Sequence, residues 1–169
     1  MLVPWKRVAS WHCNACGVCC RVYKPKLTLY EYLKLRTTGF VEEKAGKFYL
    51  KKVGGRCPFQ RGNLCSLQQT IKPLSCKLFP FVILKKGSDD ALFEFEDREY
   101  FVYADPFCPN LRIKRDCTPS VYSAVKEAIM LFEGRGEFKL LTSNQPKELQ
   151  SLNNTFSIVR GRNKICNLS

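Results

Sequence analysis

Three features of this sequence predict a small α+β domain. Residues 79–103 hold three short stretches of strand character separated by turn residues. Residues 118–134 carry apolar residues at helical spacing between a start and a stop signal. The segments around these elements hold eight cysteines between Cys13 and Cys108.

The 169 residues fit one domain over 1–169, with a cysteine-bearing core over about 10–135 and a C-terminal extension over about 136–169. Hydrophobic residues at 45% and aromatics at 12% argue against a disordered chain. Met1–Ser10 lacks the apolar core and cleavage site of a secretory signal. The longest apolar run, Leu78–Leu84, is too short for a transmembrane segment. A cytoplasmic protein with reduced thiols is therefore expected, because ten cysteines in an oxidising compartment would read as a disulfide framework.

The net charge of +13 is uneven. Residues 1–88 carry 17 Lys and Arg against 3 acids, and residues 89–105 carry one Arg against seven acids. The basic front half suits an acidic protein or a nucleic acid as partner. Its cations are scattered without a long run, which is the pattern of a solvated surface.

Taken in order, Trp5 and Trp11 flank Lys6-Arg7 and are expected to pack on the core or to shield the first cysteine segment. That segment, Cys13-Asn14-Ala15-Cys16-Gly17-Val18-Cys19-Cys20, sets four thiols in eight residues. Thr28-Leu29-Tyr30-Glu31 is a capping box, so a helix is expected from Leu29 to about Arg36, stopped near Gly39. Lys47-Phe48-Tyr49-Leu50-Lys51 reads as a strand between Gly46 and Gly54-Gly55. Cys57, Cys65 and Cys76 come next, at spacings of eight and eleven.

Phe81–Leu84 reads as a strand and Lys86–Asp90 as a turn. Leu92–Glu96 alternates apolar with acidic, and Tyr100–Tyr103 returns as a third strand. Together they predict a short antiparallel meander over 79–103. Asp105-Pro106-Phe107-Cys108-Pro109 leaves that sheet, the Cys-Pro step stiffening the loop. Thr118 caps and Pro119 opens a helix with Val121, Tyr122, Val125, Ala128, Ile129 and Phe132 on its apolar face, ended by Gly134. A second short helix is expected from Pro146 to about Leu152, and a strand or docked tail at Phe156–Val159.

Cysteine binds metal as thiolate, and C-x-x-C spacing lets two sulfurs reach one ion from a tight turn. Gly17 supplies the positive φ such a loop needs. The candidate metal ligands are Cys13, Cys16, Cys19, Cys20, Cys57, Cys65, Cys76 and Cys108. Side chains of neighbouring residues diverge, so Cys19 and Cys20 are candidates for different metals. One division sets Cys13, Cys16 and Cys19 with one remote thiol, and Cys20 with the others. His12, the sole histidine, is expected not to ligate, and Cys117 and Cys166 to be small core hydrophobes. A nucleophilic cysteine would lack a separate histidine base. Walker, Rossmann and serine-hydrolase motifs are absent, and no catalytic residue is assigned.

Zinc sites of four cysteines usually pair two C-x₂₋₄-C knuckles. Three close thiols with a remote Cys-Pro step look more like the ligation of a 4Fe-4S iron–sulfur cluster. Iron–sulfur is therefore the first expectation and zinc the second. Eight thiolates on two zinc ions or two oxidised clusters would both lower the net charge to about +9, so charge does not separate them.

The combined pattern resembles the cysteine-cluster family described as zinc- or iron-chelating. The matching residues are Cys13, Cys16, Cys19, Cys20, Thr28, Cys57, Cys65, Pro73, Cys76, Phe79, Pro80, Cys108 and Pro109. Lys72 stands where the family usually has Arg, and Asn110 where it usually has Gly. The resemblance implies metal chelation; the same module is similar to part of flagellin lysine methylases. Three functions are expected from the resemblance and from the basic charge together. One is a metal-binding protein with a structural, redox or delivery role. Another is the iron–sulfur component of a methyl-transfer enzyme. The third is a zinc-stapled basic protein that binds nucleic acid in a salt-dependent way.

Overall fold

A computed structural model describes residues 1–68, 70–114 and 118–135. The chain runs β1 (Val3–Pro4), β2 (Val8–Ser10), α1 (Val18–Val22), β3 (Lys26–Leu27), α2 (Leu29–Leu35), β4 (Val41–Lys44) and β5 (Lys47–Leu50). It continues through β6 (Gln60–Arg61), β7 (Leu64–Cys65), α3 (Leu74–Leu78), β8 (Phe81–Leu84), β9 (Leu92–Phe95), β10 (Arg98–Ala104), β11 (Arg112–Ile113) and α4 (Pro119–Phe132). This is an α+β architecture of short antiparallel sheets and helices. The helix expected over 146–152, the strand at 156–159, Cys117 and Cys166 lie outside the described residues.

The main sheet is antiparallel, but it is not a simple meander. β10 is its centre: β8 pairs along one edge, while β1 and β9 share the other. The reason is local. Glu96 and Asp97 both have positive φ and close a two-residue hairpin between β9 and β10, so β9 takes the first half of β10. The longer link through residues 85–91 lets β8 lie on the opposite edge. Gly87 passes so close to this sheet that a Cβ there would meet the Tyr103 hydroxyl at 2.5 Å and Phe101 Cβ at 2.9 Å.

α4 covers the sheet. Val121, Ala124, Val125, Ala128, Ile129 and Leu131 are buried and join Trp5, Val8, Trp11, Phe81, Phe93, Val102 and Cys108 in the larger apolar cluster. Phe132, expected on this face, is instead 47% exposed, because the helix ends there and Leu131 turns inward. Thr118 stands at the N-cap as expected, but its hydroxyl bonds Ser120 Oγ at 2.8 Å rather than a backbone N–H.

A smaller cluster forms around the sheet β3-β5-β4: Leu27, Leu35, Val41 and Leu50, with Phe48, Cys57, Phe59 and Leu67 packed on it. The Thr28–Glu31 capping box is present and starts α2. Strand β4 is not predicted by its charged sequence; it forms because Val41 pairs with Leu50 and buries one apolar side chain. Cysteines reach into both clusters. Cys108 belongs to the larger one with Cys13 packed against it, and Cys57 packs against the smaller.

Candidate metal centre

The thiol-bearing segments gain their shape from short local structures. In the first loop, Ala15 has φ 54 and Gly17 has φ 70, which curls the chain back twice in three residues. Glycine suits position 17 on two counts: it adopts the positive φ without strain, and a Cβ there would stand 2.6 Å from Gln60 Nε2 and 3.3 Å from Asn63 Cα. Gly17 also stands at the N-cap of α1, whose first full turn holds Cys19 and Cys20. No helix is expected here from the sequence; the one that forms turns the two adjacent sulfurs about 100° apart around its axis.

The hairpin β6–β7 carries Cys65, and Cys57 is tied to α1 by its N–H to the Cys20 carbonyl at 3.0 Å. Cys76 lies in α3, where its N–H bonds the Pro73 carbonyl at 2.9 Å. Helix α3 is anchored from outside. Glu31, only 8% exposed, accepts the Thr28 N–H at 2.8 Å and, with its other oxygen, the Leu74 N–H at 2.6 Å. One carboxylate therefore caps two helices and holds the segment that bears Cys76.

Five of the candidate ligands, Cys19, Cys20, Cys57, Cys65 and Cys76, line one cavity of about 30 Å³ together with Tyr23, Leu50, Lys72 and Phe79. Of the other three, Cys108 lies in the larger apolar cluster and Cys13 packs against it. Charge on Cys19 and Cys108 acts on Cys13, and charge on Cys16 and Cys19 acts on Cys108. Trp11 covers this group, its indole N–H donating to Cys108 Sγ at 3.3 Å. Asn14 and Asn110 hold the two loops together through paired amides, at 3.3 Å and 2.6 Å. His12 is exposed. Among the described residues, no three Cys, His, Asp or Glu side chains already stand close enough to hold one ion.

The eight cysteines among the described residues are free thiols, in no disulfide. Their surroundings pull in two directions. Burial pushes the Cys13 thiol up to about 11 and also raises Cys57, Cys76 and Cys108. Against this, backbone N–H groups favour the thiolates: Ala15 for Cys13, Phe59 for Cys57 and Asn110 for Cys108, each two residues on from its cysteine. Cys19 and Cys20 share a hydrogen bond that lowers Cys19 and raises Cys20. A cation is built in as well. Lys72 is 3% exposed, donates to Gln68 Oε1 at 3.0 Å, and its charge favours the thiolates of Cys13, Cys19 and Cys76.

Soft thiol donors, amide N–H groups aimed at sulfur and a buried ammonium fit a thiolate-bound metal of net negative charge. The sequence alone shows Lys72 only as part of a motif and Glu31 only as half of a capping box. Their roles at the site come from burial, which one sequence does not report. The signal available was that Lys72 directly precedes Pro73 in an otherwise apolar stretch, Ile71–Leu74.

Comparison with known families gives a match over residues 12–109, more than half of the chain, to the CxxCxxCC family, described as "Putative zinc- or iron-chelating domain". The chain belongs to this family. The CxxCxxCC match begins at His12 and ends at Pro109, so it takes in all eight candidate ligands and leaves out α4. No curated protein matches the chain, and neither does any solved structure.

Proposed function

We propose that this CxxCxxCC protein holds metal through two adjoining sets of four thiolates: Cys13, Cys16, Cys19 and Cys108 in one, Cys20, Cys57, Cys65 and Cys76 in the other. The observation that carries the reading is the single cavity lined by Cys20, Cys57, Cys65 and Cys76 beside buried Lys72. The first set is supported by the packing of Cys13 against the apolar cluster that holds Cys108, by the paired Asn14 and Asn110 amides and by the Trp11 hydrogen bond. Cys19 borders both groups, as expected for a residue next to Cys20 on α1.

For the first set the spacing favours iron–sulfur, with three close thiols and a remote one before proline. A cluster there would supply electron transfer. The protein's part is to aim N–H groups at sulfur and to exclude water with Trp11. For the second set zinc is the alternative, since four thiolates around a small cavity of about 30 Å³ suit a single ion. A zinc ion there would staple the two apolar clusters together.

The test is anaerobic purification followed by a visible spectrum and metal and sulfide analysis of one sample. Iron with acid-labile sulfide supports a cluster; stoichiometric zinc in a colourless protein supports the structural alternative. Cys13→Ser and Cys76→Ser should each lose part of the metal, and the double variant all of it. Full metal content in both single variants would refute the assignment.

A further inference from the structure

Among the described residues, the main sheet ends on an unpaired edge. β8 pairs with β10 on one side and, among the described residues, with no strand on the other. Asp105 N–H donates to the Pro80 carbonyl at 2.8 Å, in register with the pairs Val82–Tyr103 and Leu84–Phe101. Antiparallel ladders alternate, so these are the hydrogen-bonded pairs. The N–H and C=O of Phe81 and Ile83 therefore point away from β10, along the outer edge.

A groove of about 440 Å³ runs beside that edge, lined by Phe81, Val82 and Ile83, by Leu74 and Leu78 of α3, and by Phe132. Lys26 and Leu27 of β3 also line it. The two strands are not equivalent. The outward carbonyl of Lys26 is already bonded by Ser75 Oγ at 2.7 Å, which leaves β8 as the edge with pairing capacity. The exposed apolar ring of Phe132 gives the groove an unfilled hydrophobic wall.

Cations outnumber acids around it. Lys26 lines the groove, and Lys85 and Lys86 come directly after β8. The only acid in the lining is Glu31, and both of its oxygens are engaged by backbone N–H groups. We propose that the outer edge of β8 and this groove bind an extended peptide with acidic and apolar residues in alternation, added as a further strand. Main-chain pairing with Phe81 and Ile83 supplies affinity, apolar side chains fill the groove against Phe132 and Leu78, and acidic ones meet the lysines. Tyr23 lines both this groove and the thiol cavity, so a bound strand would lie one side chain away from the proposed metal site. The peptide site does not depend on which metal, if any, the thiols hold.

The test uses the full chain and a fluorescein-labelled peptide alternating Glu with Val and Ile, followed by fluorescence anisotropy. Saturable binding is expected, falling about tenfold or more for the same peptide N-methylated at alternate residues, because two strand hydrogen bonds are lost. Ile83→Pro removes an outward N–H without touching the bonds to β10 and should weaken binding to a similar degree. Lys26→Glu should weaken it further as salt is lowered. No saturable binding, equal affinity for the N-methylated peptide, or displacement of the peptide by single-stranded RNA would overturn the proposal. The N-methylated probe leaves the protein unaltered, so the test stands even where the proline variant does not fold.

Discussion

Glu31 offers the sharpest test of how this fold presents its thiols. Its carboxylate caps α2 through Thr28 and α3 through Leu74, at 2.8 Å and 2.6 Å. A hydrogen bond to a charged group contributes about 1.5–3 kcal/mol. Glu31→Ala breaks two of them and leaves two partly buried donors unpaired. Taking the lower end for each gives a loss of about 3 kcal/mol, a large share of the roughly 5–15 kcal/mol that keeps a domain folded. Glu31→Gln keeps one acceptor oxygen, so it should lose about half as much. Urea unfolding followed by circular dichroism measures both. Metal content of the purified variants should fall in the same order, because α3 carries Cys76. A loss below about 1 kcal/mol for Glu31→Ala, or equal losses for the two variants, would show that the double cap does not hold α3.

Lys72→Met keeps the buried stem and removes the charge that favours the thiolates of Cys13, Cys19 and Cys76. Metal binding releases thiol protons, so the pH of half-loading should rise by about one unit, measured by zinc release against pH. An unchanged midpoint would leave Lys72 with a packing role only. The Glu133 carboxyl is held down at about 2 by the Tyr100 hydroxyl, then by Arg135 and Arg98. A depressed carboxylate stabilises above its ordinary value of 4.5 and loses that contribution as pH falls from there towards 2. Glu133→Gln should therefore flatten the fall in melting temperature over this acid range. An unchanged acid limb would count against the network. Cys16→Ser should lower both metal content and stability, whereas Cys117→Ser should leave metal content intact; a metal-free Cys117→Ser protein would contradict the ligand set.

Much of the local structure was legible because it depends on residues a few positions apart. The capping box at Thr28–Glu31, the apolar face from Val121 to Ile129, the alternation through Phe93 and Glu94, and positive φ at Gly17 all rest on contacts within one or two turns or across one strand. The cysteine spacing was equally readable, since C-x-x-C chemistry is written in consecutive residues.

What the sequence by itself determined is therefore the fold class, most of its main-sheet strands and α2 and α4, and the thiol inventory with its family. The tertiary structure alone decided that Cys19, Cys20, Cys57, Cys65 and Cys76 line one cavity, that Lys72 is buried beside it, and that Glu31 spans two helices. It also made β10 rather than β9 the sheet's centre and left the outer edge of β8 unpaired among the described residues. These depend on packing between segments tens of residues apart, such as Trp11 with Cys108 and Glu31 with Leu74. Such contacts form only when apolar burial brings distant segments together, and no local spacing records which partner each will meet.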